Sequence, residues 1–209
     1  MLRRFAAAVS RLPGEMIHGA GRQGKDIIVT PRTEWSVIAA EGGTVGDIYR
    51  NYVVPLALIP AICSFVGMSV LGFSLGADHM RVPFFSGLIM AALQFGLGLL
   101  IVYLVALVID ALAPRFDGRK GMLPAFKLAA YSYTPAWLTG IFLLVPVLGF
   151  LSILGLYGIY LLYVGAPRLM AIPEGKAGLF TTAVVVIALI MSFVLSLVLA
   201  AFMPVPAMM

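Results

Sequence analysis

The residues of this chain that could take part in chemistry are few and far apart. Gly19, Gly21 and Gly24 spell the GxGxxG pattern of a nucleotide-binding loop, but no apolar strand precedes them, as such a loop requires. The two histidines, His18 and His79, are separated by an apolar stretch long enough to span a membrane, so they cannot share a metal ion. No Ser, Thr or Cys inside the apolar stretches has a histidine within reach to activate it. We therefore expect no enzyme, no metal ion and no cofactor.

Four stretches without Asp, Glu, Lys or Arg mark where the chain lies in lipid. They cover residues 51–77, 82–109, 128–167 and 177–209, which are 27, 28, 40 and 33 residues long. A bilayer core about 30 Å thick needs about 20 apolar residues of helix, and a central charge costs about 3 kcal/mol. Only 11% of the residues are charged, against about 25% in soluble domains. The expected fold class is therefore an all-α, polytopic membrane protein.

The longest of these stretches is predicted to cross the membrane twice. A straight helix of its 40 residues would run about 60 Å, twice the thickness of the hydrocarbon core. Pro146 and Gly149 lie near its middle and favour a turn there. The sequence thus predicts a bundle of five transmembrane helices within a domain of residues 52–209. Their predicted bounds are 52–76, 83–109, 126–145, 149–167 and 178–203.

The basic residues predict the orientation of this bundle. Of the 14 Lys and Arg residues, 13 lie on one side of the predicted bundle, before the first span, between the second and third charge-free stretches or after the fourth span, and Arg81 lies on the other side. Under the positive-inside rule the N-terminus is cytoplasmic and the C-terminus lies outside. The net charge of +5 then reflects topology and contact with anionic lipid, and nucleic acid is not an expected partner.

Residues 1–51 form a predicted cytoplasmic segment with short amphipathic helices. Thr30 and Pro31 are typical of a helix start, Gly42–Gly43 of its end, and Thr44 of a second start. The first of these helices either lies in the headgroup layer, where the rings of its aromatic residues fit, or docks a cytoplasmic protein. The candidate interaction residues are Glu34, Trp35, Ile38, Glu41, Asp47 and Tyr49.

Polar and small residues inside the predicted spans are candidates for helix packing or for a hinge. Gln94 is the one side-chain amide expected to be buried in the membrane, where it either joins two helices or belongs to a permeation site. Pro135 is predicted to kink the third span. Small residues at steps of three in the fourth span favour the close approach of another backbone. The full set is Gln94, Tyr131, Tyr133, Pro135, Pro146, Gly149, Ser152, Gly155 and Gly158.

In its motifs and their order the chain resembles bacterial members of the Yip1 family. The resemblance covers about residues 25–200 and rests on Thr30–Trp35, Tyr131–Pro135 and Leu156–Tyr163. Eukaryotic members carry an acid-Leu-Tyr-Gly-Pro motif before the first span. Here Asp47–Tyr49 matches its first half, and Arg50–Asn51 stand where Gly-Pro would. The resemblance implies five spans in a bacterial cytoplasmic membrane and a tendency to associate, whereas the binding of small prenylated GTPases, known for eukaryotic members, is not carried over.

Two functions of different classes remain open at this point. The first is a non-enzymatic scaffold that binds another protein, or a second copy of the chain, through residues 26–51 and the small residues of the fourth span. The second is a small channel or facilitator, in which an oligomer lines a path with Gln94, Ser132, Tyr133 and Thr134. The expected partners are the lipid bilayer and a membrane or cytoplasmic protein. Solute flux into liposomes distinguishes the two functions, because only the channel predicts it.

Overall fold

The fold is taken from a computed structural model, which describes residues 24–75 and 78–202. Within these ranges the protein is a bundle of helices with one short two-stranded hairpin. Four of the described helical segments are long and apolar enough to cross a membrane: Val45–Leu71, Phe84–Phe116, Val147–Leu169 and Glu174–Leu197. His18 and most of the glycine pattern noted in the sequence lie outside the described residues.

The elements are numbered here in chain order. A helical segment at 24–29 leads into α1, Pro31–Ala40. Helix α2, Val45–Leu71, contains π-helical turns at Tyr49–Val53 and Val66–Leu71. Strands β1 (Phe73–Leu75) and β2 (Asp78–Met80) pair antiparallel. Then follow α3 (Phe84–Leu112), a 3₁₀ turn (Ala113–Phe116), α4 (Met122–Ser132), α5 (Thr134–Thr139), 3₁₀ segments (Gly140–Leu144 and Pro146–Leu156), α6 (Tyr157–Leu169) and α7 (Glu174–Phe202).

Helix α2 begins earlier and ends earlier than the predicted span 52–76. Its N-cap is Thr44, as the sequence predicts: the Thr44 hydroxyl accepts a hydrogen bond from the Asp47 N–H at 3.2 Å, and the Asp47 carboxylate accepts one from the Thr44 N–H at 3.0 Å. This reciprocal capping box satisfies two N–H groups at the start of the helix. The helix ends before Gly72, whose φ of 78° lies in the left-handed region that favours glycine.

The third predicted span, 126–145, is not one continuous helix in the structure, and the break lies where Pro135 is predicted to kink it. Helix α4 ends at Ser132, Tyr133 forms a turn, and α5 is followed by the 3₁₀ segment Gly140–Leu144. The cause is local, because Pro135 has no N–H to donate to the carbonyl oxygen of Tyr131. Since this segment is broken, it is not among the four long helices, and the fifth span stays a prediction.

The fourth predicted span, 149–167, is not α-helical throughout, because its first half is a 3₁₀ helix. A 3₁₀ helix has 3.0 residues per turn, so residues three apart in the chain stand in one row. Gly149, Ser152 and Gly155 are such residues within Pro146–Leu156, and Gly158 extends the spacing into α6. The steps of three noted in the sequence therefore match the helix type that the chain adopts.

The bundle has its dense core at the end where α1 lies. Trp35 and Ile38 of α1 are fully buried together with Phe126 of α4, Leu161 of α6 and Phe180 of α7. The opposite end, around the 3₁₀ segments, instead exposes large apolar side chains, including Val147, Phe150 and Ile153. Helix α1 therefore belongs to the same core as the long helices, and lipid-compatible surface is concentrated away from it.

Candidate functional site

The side chain of Trp35 fixes α1 to the bundle. It is completely buried and fills a hollow above Gly165 of α6, where a Cβ atom would lie only 2.6 Å from Cε2 of the indole ring. Its ring also meets the ring of Tyr131 edge-on, with 6.2 Å between centroids. The ring of Trp35 therefore contacts protein and not lipid headgroups, while the membrane depth of α1 itself stays a prediction.

Lys127 closes the C-terminal end of α1 from outside that helix. Its ammonium nitrogen donates hydrogen bonds to the backbone carbonyl oxygens of Ile38 and Glu41, both at 2.6 Å. The last carbonyl groups of a helix have no partner within it, and a cation placed there is also favoured by the helix dipole. Helix α1 has no basic residue in its own last turn, so a residue of α4 supplies this charge.

An aromatic cluster fills the space between α2, α3 and α4 at the same end of the bundle. The hydroxyl groups of Tyr52 and Thr134 are hydrogen-bonded at 2.6 Å, and the rings of Tyr52 and Tyr131 are 4.4 Å apart at their centroids. Tyr49 stacks on Phe126 at 5.1 Å and donates its hydroxyl proton to the backbone carbonyl oxygen of Leu99. These rings and hydroxyl groups pair with one another and join α2, α3 and α4 at this end of the bundle.

The remaining candidate interaction residues of the first segment are nearer the surface. Glu34 and Glu41 are half-buried, and Asp47 is exposed in the capping box. Partial burial raises the pKa of the Glu34 carboxyl, and the negative charges of Asp26 and Glu41 raise it further. Of the six candidate residues, Trp35, Ile38 and Tyr49 pack within the bundle, Asp47 caps α2, and Glu34 and Glu41 are carboxylates nearer the surface.

The outer face of α1 and of the turn before it carries apolar side chains that no part of the described chain covers. Val29 is 66% exposed and Val37 is 51% exposed. Around them Arg32, Thr33 and Ser36 are exposed as well. Nothing in the sequence pattern had separated this face from the buried one, because Trp35 and Ile38 were expected to face lipid or a partner.

Gln94 joins two helices, as one of its two predicted roles requires. Its side-chain oxygen accepts a hydrogen bond from the hydroxyl group of Ser64 at 2.8 Å, which links α3 to α2. The amide lies on the outside of the bundle, where a membrane-embedded bundle meets lipid, so its burial in the membrane stays a prediction. The pair satisfies part of the hydrogen-bonding capacity of both groups at a depth where lipid offers none.

Ser132 and Tyr133 line a separate cavity of about 180 Å³ between α4, α6 and α7. Gly155 and Gly158 form part of its wall, and the Ser132 hydroxyl is buried without a hydrogen-bond partner. The four residues proposed for a channel are therefore not brought together in one chain, since Gln94 lies on the outside and Thr134 is paired with Tyr52. Among the described residues, no three His, Cys, Asp or Glu side chains come close enough to hold a metal ion.

The chain folds back on itself between α5 and α6, as Pro146 and Gly149 predict. A Cβ atom on Gly155 would lie 3.0 Å from the Cα of Ala136, and one on Gly158 would overlap the carbonyl oxygen of Ser132. Gly155 lies against Ala136, and Gly158, later in the chain, lies against Ser132, earlier in the chain. The two segments on either side of Val145 are therefore antiparallel. The close approach of these backbones depends on the absence of a side chain at both glycines.

Comparison with known proteins gives a family match over most of the chain. Residues 25–196 match the model of the Yip1 domain family. The inner membrane protein YohC of Escherichia coli strain K12 is 29% identical over 170 residues, which cover 79% of this chain and 87% of YohC. YohC of Escherichia coli O6:H1 strain CFT073 shows the same identity and coverage. No solved structure gives a significant match.

Proposed function

The chain belongs to the Yip1 domain family and is a multi-pass inner membrane protein, and we propose that it acts as a non-enzymatic scaffold that binds a protein partner on the outer face of α1. The observation that carries this proposal is the exposure of Val37 on α1, which is otherwise held firmly by the bundle, and of Val29 just before it. Exposed apolar side chains rimmed by polar ones are the usual composition of a contact surface.

The attachment of α1 supports this function because it makes the surface rigid before a partner arrives. Trp35 anchors the middle of the helix, and Lys127 holds its end through two hydrogen bonds. A binding surface that is already ordered loses less conformational entropy on association than a flexible tail would. A passive linker would not need a buried cation to hold the end of a ten-residue helix.

The proposed topology includes five spans, with the broken segment 122–144 as the third. One α-helical piece, a short second piece and a 3₁₀ end together rise about 35 Å, enough for a core of about 30 Å. Interrupted backbone is tolerated at membrane depth where protein surrounds it, and α4 is buried from Ala125 to Ser132. An odd number of spans puts the C-terminus on the outer side when the N-terminus is cytoplasmic.

Site-directed cross-linking in native membranes tests the scaffold. A photo-reactive amino acid at position 37 is expected to give one protein adduct of defined size, and Val37→Glu is expected to remove that partner from the purified complex. The matched control is the same reagent at Phe150, which is 70% exposed at the opposite end and should react with lipid. If position 37 reacts only with lipid, the scaffold function is lost, and solute flux through the purified protein in liposomes would support the channel instead.

A further inference from the structure

A charged pocket of about 290 Å³ lies where α1, α6 and α7 meet. Three charged side chains from three different elements line it: Arg32 from the first turn of α1, Arg168 from the last turn of α6, and Glu174 from the first residue of α7. Tyr163 forms part of the wall toward the membrane. Arg32 is 136 positions from Arg168 and 142 positions from Glu174 along the chain, so only the fold brings it to the other two.

The pocket lies at the depth of the lipid headgroups. Arg168 is next to the last residue of the apolar helix Val147–Leu169, and Glu174 is the first residue of the next apolar helix, Glu174–Leu197. Charged residues at both ends of a short connection between two spans stand in the interface between hydrocarbon and water. Below the pocket, Tyr160 and Leu179 are exposed, which leaves apolar surface along which acyl chains can lie.

The three charges of this pocket are not used by other ion pairs in the described part of the chain. One ion pair among the described residues joins Lys176 to Asp117, neither of which lines this pocket. Arg32, Arg168 and Glu174 are all exposed to the pocket. Two cations and one anion around a single space are complementary to a ligand that itself carries one anionic and one cationic group.

We propose that this pocket binds the headgroup of a phospholipid that carries both a phosphodiester and an ammonium group. The guanidinium groups of Arg32 and Arg168 bind the phosphodiester oxygens, because a planar fork of N–H donors matches phosphate geometry. The carboxylate of Glu174 accepts hydrogen bonds from the ammonium group. Basic pockets between membrane helices at the headgroup level are known sites of lipid recognition. Arg32 also borders the apolar face around Val29 and Val37, but the pocket needs Arg168 and Glu174 as well, so this proposal does not depend on the scaffold function.

The carboxylate of Glu174 decides between headgroup classes. A headgroup with a phosphodiester and uncharged hydroxyl groups would bind both arginines. Its negative charge would then lie close to the carboxylate of Glu174, with no ammonium group between these two negative charges. A headgroup with an ammonium group places opposite charges together at both ends of the pocket. The pocket is therefore expected to prefer phosphatidylethanolamine over phosphatidylglycerol with the same acyl chains.

Native mass spectrometry of the purified, delipidated full chain measures this preference. The probes are dioleoyl phosphatidylethanolamine, dioleoyl phosphatidylglycerol and inorganic phosphate as a competitor. Arg32→Gln and Arg168→Gln are each expected to weaken phosphatidylethanolamine binding about threefold to tenfold. Arg168→Lys should lie between the parent and Arg168→Gln, because it keeps the charge and loses the fork. Glu174→Gln should remove the preference between the two lipids while phosphatidylglycerol still binds.

The matched control is Arg115→Gln, which removes an exposed arginine that does not line the pocket. This variant should bind both lipids like the parent. Thermal unfolding of each variant checks that the bundle is intact, which is expected because the substituted side chains are exposed. The proposal is overturned if the Arg32 and Arg168 variants bind phosphatidylethanolamine like the parent, or if the parent prefers phosphatidylglycerol. It is overturned as well if inorganic phosphate displaces both lipids fully, since the site would then recognise phosphate without the rest of the lipid.

Discussion

Lys127 donates a hydrogen bond from its side-chain ammonium group to the backbone carbonyl oxygen of Ile38, with 2.6 Å between the two atoms. The residues are 89 positions apart, and the contact joins α4, in the middle of the bundle, to the end of α1. Lys127 is 3% exposed, so water can offer its ammonium group little in place of these carbonyl oxygens. The C-terminal end of α1 is therefore held by a buried cation, in addition to the contacts of Trp35.

Replacing Lys127 by Met should loosen α1. The variant keeps the length of the side chain but leaves the carbonyl groups of Ile38 and Glu41 without a donor, at a cost of about 1.5–3 kcal/mol for hydrogen bonds to a charged group. We expect a lower midpoint of thermal unfolding in detergent and faster proteolysis between α1 and α2. Lys120→Met is the control, because Lys120 is exposed. Equal proteolysis of the two variants would mean that Lys127 does not hold α1.

Trp35 and Gly165 are expected to be coupled in stability. Trp35→Ala removes a buried indole ring and should cost about 3–5 kcal/mol. Gly165→Ala in the parent forces a methyl group to within 2.6 Å of both the ring and Cδ1 of Leu128, whereas in the Trp35→Ala background only the end of the Leu128 side chain has to move. The double variant should therefore lose less stability than the sum of the two single variants, with a coupling of about 0.5–3 kcal/mol. Thermal unfolding of the four proteins measures it, and additive losses would contradict the contact.

The local features of the fold could be predicted from the sequence because their causes are local. Thr44 and Asp47 form a capping box within one turn of helix, and Pro135 breaks its own helix. The contact between Lys127 and Ile38 could not be predicted in this way, since no spacing or periodicity connects residues so far apart. Charge alone had assigned Lys127 to the cytoplasmic surface as one of many basic residues.

Whether a side chain of the candidate site is buried was harder to predict from the sequence than where a helix begins or breaks. Trp35 has an amphipathic ring that suits the headgroup layer and a protein core equally well, and only the hollow at Gly165 decides between them. Gln94 is predicted at membrane depth, either joining two helices or in a permeation site, and it lies on the outside of the bundle, bonded to Ser64. In both cases the side chain itself is compatible with two environments, and the neighbouring helix determines which one it has.

The glycines of the fourth predicted span should tolerate substitution very differently. Gly158→Leu should be the most damaging, because its Cβ overlaps the carbonyl oxygen of Ser132, a backbone atom that cannot rotate away. Gly155→Leu should follow, with the backbone of Ala136 at 3.0 Å. Gly149→Ala serves as the control, since its Cβ would meet only a side chain at 3.9 Å. Thermal stability in detergent should fall in that order, and equal stability of all three would place this face of the helix against lipid.

The hydrogen bond between Tyr52 and Thr134 should show the cost of one unpaired buried hydroxyl group. Tyr52→Phe leaves the fully buried Thr134 hydroxyl without its partner, and Thr134→Val does the same to Tyr52, each at about 1–3 kcal/mol. The double variant removes both groups and should be more stable than either single variant. Unfolding measurements on the three variants check this, and a double variant that is the least stable of the three would show that the pair acts through packing alone.

The number of spans can be tested through the two ends of the bundle, because the broken segment 122–144 decides whether that number is odd or even. With five spans and 13 of 14 basic residues on one side, the positive-inside rule puts the connection 113–121 in the cytoplasm and the C-terminus outside. Reporter fusions within that connection and after Met209 should therefore give opposite signals, and a fusion at Arg81 should agree with the one after Met209. A cytoplasmic signal from the fusion after Met209 would mean that the segment between α3 and α6 does not cross the membrane, despite its length of about 35 Å.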